Sequence, residues 1–518
     1  MSLTGKRGDL DCVLIGPHEL DFDQYEAGLR AMGEDSIAYR VLKTNSTVLD
    51  GRRMTYFDML NRLMTDATGR KSDLHVCKLP SLAIGHLKTA LHRAGLIAEE
   101  VNFFTWEQDR LVELLAQNPL AVAITSTFYV DNDALTEIVA FVRKHNPSTR
   151  IIVGGPHILN VYNNYDAKAQ DFIFRTIGAD IYICDSQGEG TLTHLLRALR
   201  NRRWADVALV PNLVFSRDAS TFERTGRSIE DNPIADSIVD WSLFAPDFYA
   251  PTVQMRTARS CAYSCAFCQY PQLGGPLSLN SIEHVEHQLR TFKEAGVENV
   301  VFIDDTFNVP FPRFKKLCRM MIENEFDFNW FSFFRCANSD DEAFDLMAES
   351  GCKGVFLGIE SGDDRILKNM NKSASSEKYR RGIGKLNERG ILSFASLIVG
   401  FPGETQESIK NTMDFIAETS PTFYRAEMYY HYSAVPIHQQ ADQYGLKGTG
   451  YHWRHDTMDA EQACAAVETM YRNIDNSLIM PGYMFDFWSI PYLFGQGLQT
   501  EHLTSFMRTA GREMVRHF

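Results

Sequence analysis

The chain of 518 residues has no segment approaching the roughly 18 uninterrupted apolar residues of a membrane span, which excludes an integral helical membrane protein. Its start, Met1–Leu10, carries Lys6 and Arg7 but no apolar stretch behind them, so the sequence predicts no export and a cytoplasmic location. Positive charge is in short supply: 52 Lys and Arg stand against 66 Asp and Glu, a net charge of −14. That balance gives a nucleic-acid backbone little attraction, and a small molecule or peptide is the expected substrate. Ten cysteines in a chain this long do not amount to a disulfide framework, since cytosolic thiols stay reduced. Seven of them, Cys12, Cys77, Cys184, Cys318, Cys336, Cys352 and Cys464, are scattered singly and read as small buried hydrophobes.

What is present is an ordinary globular composition, 44% hydrophobic and 23% charged, in a chain long enough for two large domains. The N-terminal part alternates short apolar runs with amphipathic stretches, the pattern of a parallel sheet covered by helices. Strands are expected at Asp11–Ile15, Glu99–Phe103, Ala121–Thr125, Ile151–Val153 and Asp180–Cys184, giving a doubly wound, Rossmann-like α/β domain over residues 1–235. A ligand of such a sheet sits at the carboxyl ends of its strands. The loops there contain Ser126-Thr127, Gly154-Gly155-Pro156-His157 and Gly188-Glu189-Gly190. The polar insertion Arg30–Pro80 reads as an irregular lid.

Pro233, Pro246 and Pro251 mark a linker before a second alternation over residues 236–435. Its strands are expected at Val253–Thr257, Asn299–Ile303, Trp330–Phe334, Gly354–Ile359, Ser393–Val399 and Ala426–His431. Six β/α units predict a partial parallel barrel with its chemistry at the strands' carboxyl ends. Residues 436–518, aromatic and free of repeats or low-complexity tracts, are expected to form a mostly helical cap.

Cys261-Ala-Tyr-Ser-Cys265-Ala-Phe-Cys268 follows directly on the first barrel strand and puts three soft thiolate donors into one loop at the active-site end. Three thiolates hold three irons of a [4Fe–4S] cluster and leave the fourth open. A zinc site would need a fourth ligand, which neither Gln269 nor Tyr270 supplies.

The run Cys-x3-Cys-x-Phe-Cys after a strand resembles the signature of the radical SAM superfamily. In that family the open iron chelates the amino and carboxylate groups of S-adenosylmethionine (SAM), and reductive cleavage gives a 5′-deoxyadenosyl radical. The resemblance implies that Glu360, in Gly358-Ile-Glu-Ser361, hydrogen-bonds the SAM ribose, and that Asp304, Ser332 and Arg335 hold its methionine moiety. Other roles are open to these residues: Glu360 as a helix cap, Arg335 as a partner of Asp340 or Asp341. Gly400-Phe-Pro-Gly-Glu404-Thr405 resembles the family's Gly-x-Pro-Gly-Glu-Thr turn, whose glycines and Glu404 also suit a tight turn leading into a helix.

The leading α/β domain is similar to the cobalamin-binding domains of the vitamin B12-dependent branch, through Ile151–His157 and Gly188-Glu189-Gly190. This implies that Ser126, Thr127, Gly154, Gly155, His157, Gly188 and Glu189 lie at a cobalamin site. The Asp-x-His-x-x-Gly motif that supplies a lower cobalt ligand in many B12 enzymes is absent. Asp73-Leu-His75-Val-Cys-Lys78 comes near it, but Lys78 replaces the glycine, so cobalt is expected to bind without a protein His. Methylthiotransferases, a rival branch, hold a second cluster on three N-terminal cysteines. Cys12 and Cys184, lying within strands rather than loops, argue against it.

Within the B12-dependent branch the chain resembles the P-methyltransferases of phosphinothricin-type biosynthesis and their relatives in peptide antibiotic pathways. The likeness rests on Phe302–Pro310, Gly354–Gly362, Phe423–Glu427 and Trp453–Asp459. It implies methylation of an unactivated carbon or a phosphinate phosphorus, with SAM as both methyl and radical source, cobalamin as methyl carrier, and an external electron donor such as flavodoxin or ferredoxin. A B12-dependent rearrangement or cyclisation without methyl transfer is the alternative. Tyr429, Tyr430, Tyr432, Tyr451 and Trp453 are expected either to line the substrate pocket or to pack the barrel rim.

Overall fold

The structure is a computed structural model that describes residues 10–518 other than 130, 202 and 219. The stretch read for an export signal therefore lies, up to residue 9, outside the described residues. The chain divides into two compact units, one built from the residues up to Asp21 with Pro80–Phe248 and the other from Phe22–Leu79 with Tyr249–Phe518. No described helix is long and apolar enough to cross a membrane.

The first unit is a seven-stranded sheet of β1 (Cys12–Ile15), β2 (Ala98–Val101), β3 (Ala121–Thr125), β4 (Arg150–Gly154), β5 (Ile181–Ile183), β6 (Leu213–Ser216) and β7 (Phe222–Arg224). Its order is β2-β1-β3-β4-β5-β6-β7. Strands β1 to β5 are parallel, and β1 pairs on one side with β2 and on the other with β3. The strand order thus reverses between β1 and β3, the switch point whose crevice, beyond the strands' carboxyl ends, is where sheets of this kind bind ligands. Strands buried on both faces need apolar runs rather than alternation, and Cys12-Val-Leu-Ile and Ala121-Val-Ala-Ile-Thr are buried throughout. Helices such as Asp133–His145 cover them with Leu135, Ile138 and Val142. The sheet has two strands more than the five expected. β6 and β7 are antiparallel and joined by a turn in which the Asp218 carboxylate accepts from Ser220 and Thr221 N–H, so no amphipathic crossover announced them.

The second unit is a row of seven parallel strands in chain order: β8 (Thr252–Met255), β9 (Asn299–Phe302), β10 (Asn329–Phe334), β11 (Cys352–Glu360), β12 (Leu392–Val399), β13 (Phe423–Met428) and β14 (Leu478–Ile479). Six strands were expected. The seventh, two residues long, pairs with the start of β13 and is too short to carry a pattern. Among the described residues β8 and β14 do not pair, so the barrel stays open.

The barrel interior is filled from the strands' amino ends. Phe331, Phe394 and Phe423 point inward onto Phe485, Phe487, Ile490 and Leu493 of the C-terminal segment. On β10, Phe331 and Phe333 meet Phe487 and Trp488, whereas Trp330 and Phe334 face the helix layer, where Trp330 Nε1 donates to Ser350 Oγ and Phe334 meets Phe314. The expected helical cap is therefore partly barrel core. Residues 447–459 form a three-stranded meander, and helices Ala460–Asn473, Ser489–Gly495 and Thr500–Arg516 follow.

Residues 22–79 differ most from expectation. Arg30–Pro80 is expected as an irregular lid and the whole stretch as part of a 1–235 domain, but residues 22–79 form helices Phe22–Ala31, Ile37–Thr44 and Tyr56–Thr68 and a Thr47–Leu49/Arg52–Met54 hairpin, all in the second unit. Thr55 and Asp58 make a capping box on the third helix, and Gly69 ends it in the left-handed region at φ 68°. Tyr56, Phe57, Met59 and Leu60 are buried against Phe485, Phe506 and Met507, a core role that the polar average of the segment hides.

Candidate functional site

The cysteines lie between two paired strand fragments, Ala258–Arg259 and Ser278–Leu279, just beyond the carboxyl end of β8. Ser260 opens the loop in the left-handed region, φ 74°, and its hydroxyl donates to the Gly275 carbonyl. Backbone bonds fix the middle. Ala266 N–H donates to Met370 O at 2.8 Å, Ile437 N–H donates to Ala266 O at 2.8 Å, and Cys268 N–H closes a turn onto Cys265 O. Asn371 Nδ2 holds the Ser264 carbonyl at 2.8 Å. Cys265 is buried, Cys261 and Cys268 half-buried, and Cys261 Sγ lies 3.6 Å from Thr306 Oγ1. Burial first, then the neighbouring Cys265, Cys261 and Asp305, pushes the Cys268 thiol up, so metal binding has to displace its proton. Among the described residues no three His, Cys, Asp or Glu side chains gather into a single-ion site. Three soft donors on one loop, with no fourth His, Cys, Asp or Glu gathered beside them among the described residues, match the donor set of an iron–sulfur cluster with an open corner.

Two cations stand over the aromatic residues of this loop. The Arg335 guanidinium lies 3.6 Å from the centre of the Tyr263 ring, and Lys372 Nζ lies 5.4 Å from that of Phe267. Arg335 Nη2 donates to the Lys372 carbonyl, and the Lys372 ammonium donates to Glu360 Oε1 at 2.8 Å. Asp340 and Asp341, the alternative partners of Arg335, pair instead with Lys315 and Arg381. Glu360 ends β11 at φ 65°, where the register slips against β12. A Cβ on Gly358 would fall 2.5 Å from Glu360 Oε1, so the carboxylate folds back over the face of β11 that carries Phe356 into the barrel. It caps no helix: Asp363 accepts from the N–H groups of Arg365 and Ile366 at the start of Asp364–Asn369. Lys372 carried no motif, and its one sequence signal is a basic residue in the turn after that helix.

Asp304 and Ser332, expected at the methionine moiety of SAM, are both buried among protein groups. Asp304 is buried, with Oδ1 accepting from Thr257 N–H at 2.6 Å and Ala258 N–H at 2.9 Å and Oδ2 accepting from the Thr257 hydroxyl. It ties the end of β8 to the start of the cysteine loop. Ser332 shares the parity of Trp330 and Phe334 and so faces the helix layer, fully buried, its hydroxyl without a hydrogen-bond partner. Asp305, by contrast, is exposed, with Tyr270 as hydrogen-bond partner and Arg256 nearby.

In the first unit, Ser126 follows β3 at the switch point. It is fully buried, its N–H donates to Gly154 O at 2.8 Å, and its hydroxyl has no partner. Gly155, at φ 110°, approaches so closely that a Cβ would lie 3.0 Å from Ser126 Oγ. Thr127 is exposed beside it. His157 Nε2 is 2.8 Å from Asn132 Oδ1, and burial pushes this imidazole down, toward the neutral form. The turn Gly188-Glu189-Gly190 is held from outside: Glu230 accepts from Gly190 and Thr191 N–H, and Glu189 accepts from Gly188 N–H and from Asn232. An orphaned buried hydroxyl and side-chain-free strand ends are features a bulky polar ligand such as cobalamin would use.

His75 belongs to the second unit, stacked on Phe57 with Nδ1 accepting from Cys77 N–H. Cys12 and Cys184 lie in and at the end of strands, buried, and burial pushes the Cys184 thiol up to about 12, so neither is a ready cluster ligand. Of the expected aromatic lining, Trp453 is buried over Gly400 with Nε1 donating to Tyr429 O, whereas Tyr430 is exposed. Glu404 closes the Gly400 turn by accepting from Gly400 N–H, and Thr405 caps the following helix.

The radical SAM superfamily model matches residues 255–416. The chain is 25% identical over 304 residues, 58% of its length and 64% of the other's, to an uncharacterized methyltransferase of Pyrococcus horikoshii. It is 29% identical over 187 residues, 34% of its length and 40% of the other's, to the ribosomal protein uS12 methylthiotransferase RimO of Heliobacterium modesticaldum. It thus spans less than two thirds of each of these relatives. Among solved structures it resembles the radical S-adenosylmethionine methyltransferase TsrM from Kitasatospora setae, solved with tryptophan and a SAM analog (TM-score 0.58, 19% identity, 70% of this chain and 73% of that one). It also resembles the cobalamin-dependent S-adenosylmethionine radical enzyme OxsB (TM-score 0.56, 15% identity, 79% of this chain and 52% of that one). Residues 255–416 are thus a radical SAM domain, in a chain that shares the fold of cobalamin-dependent radical SAM enzymes.

Proposed function

We propose that this protein is a cobalamin-dependent radical SAM methyltransferase that methylates an unactivated carbon or a phosphinate phosphorus of a natural-product precursor or peptide. The observation that carries the reading is the three-cysteine loop at the carboxyl end of β8, braced by Arg335 and Lys372, on a chain that also has an open-ended Rossmann-like sheet. Cys261, Cys265 and Cys268 would hold a [4Fe–4S] cluster, which when bound supplies the electron for reductive SAM cleavage. Glu360, folded over the barrel-facing side of β11, is set to accept from a ribose hydroxyl, and Arg335 offers a cation to the methionyl carboxylate. Asp304 and the backbone bonds of Ala266 keep the loop from shifting. Phe487, buried against Phe331, Phe356 and Phe394, fills the barrel interior and leaves little room for water there.

In the first unit, Ser126, Thr127, Gly154, Gly155, His157, Gly188 and Glu189 would hold cobalamin, which when bound supplies the transferable methyl group. No histidine ligand to cobalt is proposed, since His75 is committed to the Phe57 stack. A small flavodoxin- or ferredoxin-type protein would deliver electrons. The test is anaerobic turnover with methyl-deuterated SAM and candidate substrates. Label should appear in the product together with S-adenosylhomocysteine and 5′-deoxyadenosine, and omission of cobalamin should stop the reaction. Product without label would replace methyl transfer by rearrangement, and undiminished rates without cobalamin would overturn both readings.

A further inference from the structure

Lys372 is almost completely buried at 6% exposure, a rare place for an ammonium, and nothing in the sequence reading assigned it a role. Its surroundings account for its position. Its Nζ donates to Glu360 Oε1, its one hydrogen-bond acceptor among the described residues, and stands over Phe267, which lies next to Cys268. Its carbonyl accepts from Arg335, whose guanidinium stacks on Tyr263, between Cys261 and Cys265. One residue thus joins the carboxylate at the end of β11 to both aromatic residues of the cysteine loop. The close approach has a sequence condition: a Cβ on Gly358 would fall 3.0 Å from the ammonium and 2.5 Å from the carboxylate.

A simple stabilising ion pair is a weak explanation. Burying two charges loses hydration that their attraction barely repays, and apolar replacements of such pairs are often neutral or better. Glu360 is moreover held at φ 65°, a conformation side chains other than glycine rarely adopt, and strain of this kind persists where a fixed direction is used. Tyr379 is no substitute for Lys372, since its hydroxyl donates to the Gly358 carbonyl rather than to Glu360.

We propose that Lys372 is a positioning residue for the SAM site: it fixes the Glu360 carboxylate in the direction needed to accept from the ribose, relative to the cysteine loop on which SAM is held. The inference rests on the reading of this loop as a SAM-binding cluster site. An ammonium has three donors, so Lys372 can hold Glu360 through one of them while the carboxylate's second oxygen stays free for the ligand.

The test is a double-mutant cycle on the anaerobically reconstituted full chain, with K372M, E360Q and the double variant, read by SAM affinity from equilibrium dialysis and by iron and sulfide content. K372R serves as the conservative variant. K372M and E360Q should each weaken SAM binding tenfold or more at normal cluster content. The double variant should lose little beyond either single one, because the two side chains act as a unit. K372R should recover a large part of the affinity, since it restores a cation beside Glu360. Additive losses, or K372M binding SAM as tightly as the unmodified protein while E360Q does not, would overturn the role of Lys372 alone. Unchanged affinity in E360Q itself would instead remove the SAM-site reading on which it rests. A drop in cluster content in K372M not repaired by K372R would assign Lys372 to holding the loop rather than to aiming Glu360, and would also overturn the proposal.

Discussion

Glu404 gives a sharp test of the packing around the barrel mouth. Its side chain is 2% exposed, it accepts from Gly400 N–H, and loss of water pushes its carboxyl from the ordinary 4.5 up to about 8. Between these two values the native state holds a proton that the unfolded state has released, so stability must fall as pH rises. The slope is about 1.4 kcal/mol per pH unit, and across the window the loss is on the order of 5 kcal/mol. Glu404→Gln removes the ionisation and keeps the shape and the acceptor for Gly400. Urea unfolding of both proteins, followed by tryptophan fluorescence between pH 5 and pH 9, isolates the effect, because every other titrating group cancels in the difference. Trp453, packed directly over Gly400, is one reporter of this region. The variant should gain on the unmodified protein by about 1.4 kcal/mol per pH unit from pH 5 to 8 and then level off. Parallel pH profiles would refute the reasoning and show that Glu404 ionises freely in the fold.

Ser332→Ala should leave SAM affinity unchanged, since the hydroxyl faces the helix layer without a partner; a tenfold loss in equilibrium dialysis would restore its expected place at the methionine moiety. Asp304→Asn should cost about 1–3 kcal/mol of stability and lower iron incorporation, because the acceptor of two backbone N–H groups loses its charge. Full iron content and an unchanged unfolding midpoint would contradict that. Gly155→Ala should destabilise the first unit by about 1–3 kcal/mol and reduce cobalamin retention on gel filtration, given φ 110° and the crowding of Ser126; wild-type retention would argue against this crevice as the site. Electron paramagnetic resonance of bound Co(II) should show no nitrogen splitting that disappears in His75→Ala.

The alternation of apolar runs with amphipathic stretches made both sheets legible, because parallel strands must be buried on both faces and joined by helices. The cysteine loop was equally plain, three soft donors after a strand being rare without a metal. Parity was harder to read. Ser332 lies in the correct strand, but one position decides whether a side chain enters the barrel or the helix layer, and only the contacts of Trp330 and Phe334 fix it. Residues 22–79 carry no legible core pattern because their apolar positions are diluted by charge and find partners far along the chain: Tyr56 and Phe57 meet Phe485 and Phe506, more than 400 residues away. Lys372 escaped notice for a related reason: a buried ammonium is recognised by its counter-charge, and Glu360 is brought to it by a register slip that no periodicity announces.

The central claim is that Cys261, Cys265 and Cys268 build the cluster that cleaves SAM. Its most direct test is anaerobic reconstitution of the unmodified chain and of single alanine variants at each of the three cysteines, followed by reduction with dithionite and assay of 5′-deoxyadenosine. The unmodified protein should take up about four irons and four sulfides and form 5′-deoxyadenosine from SAM. Each variant should form none. A triple-alanine chain that still cleaves SAM at the unmodified rate would contradict the account.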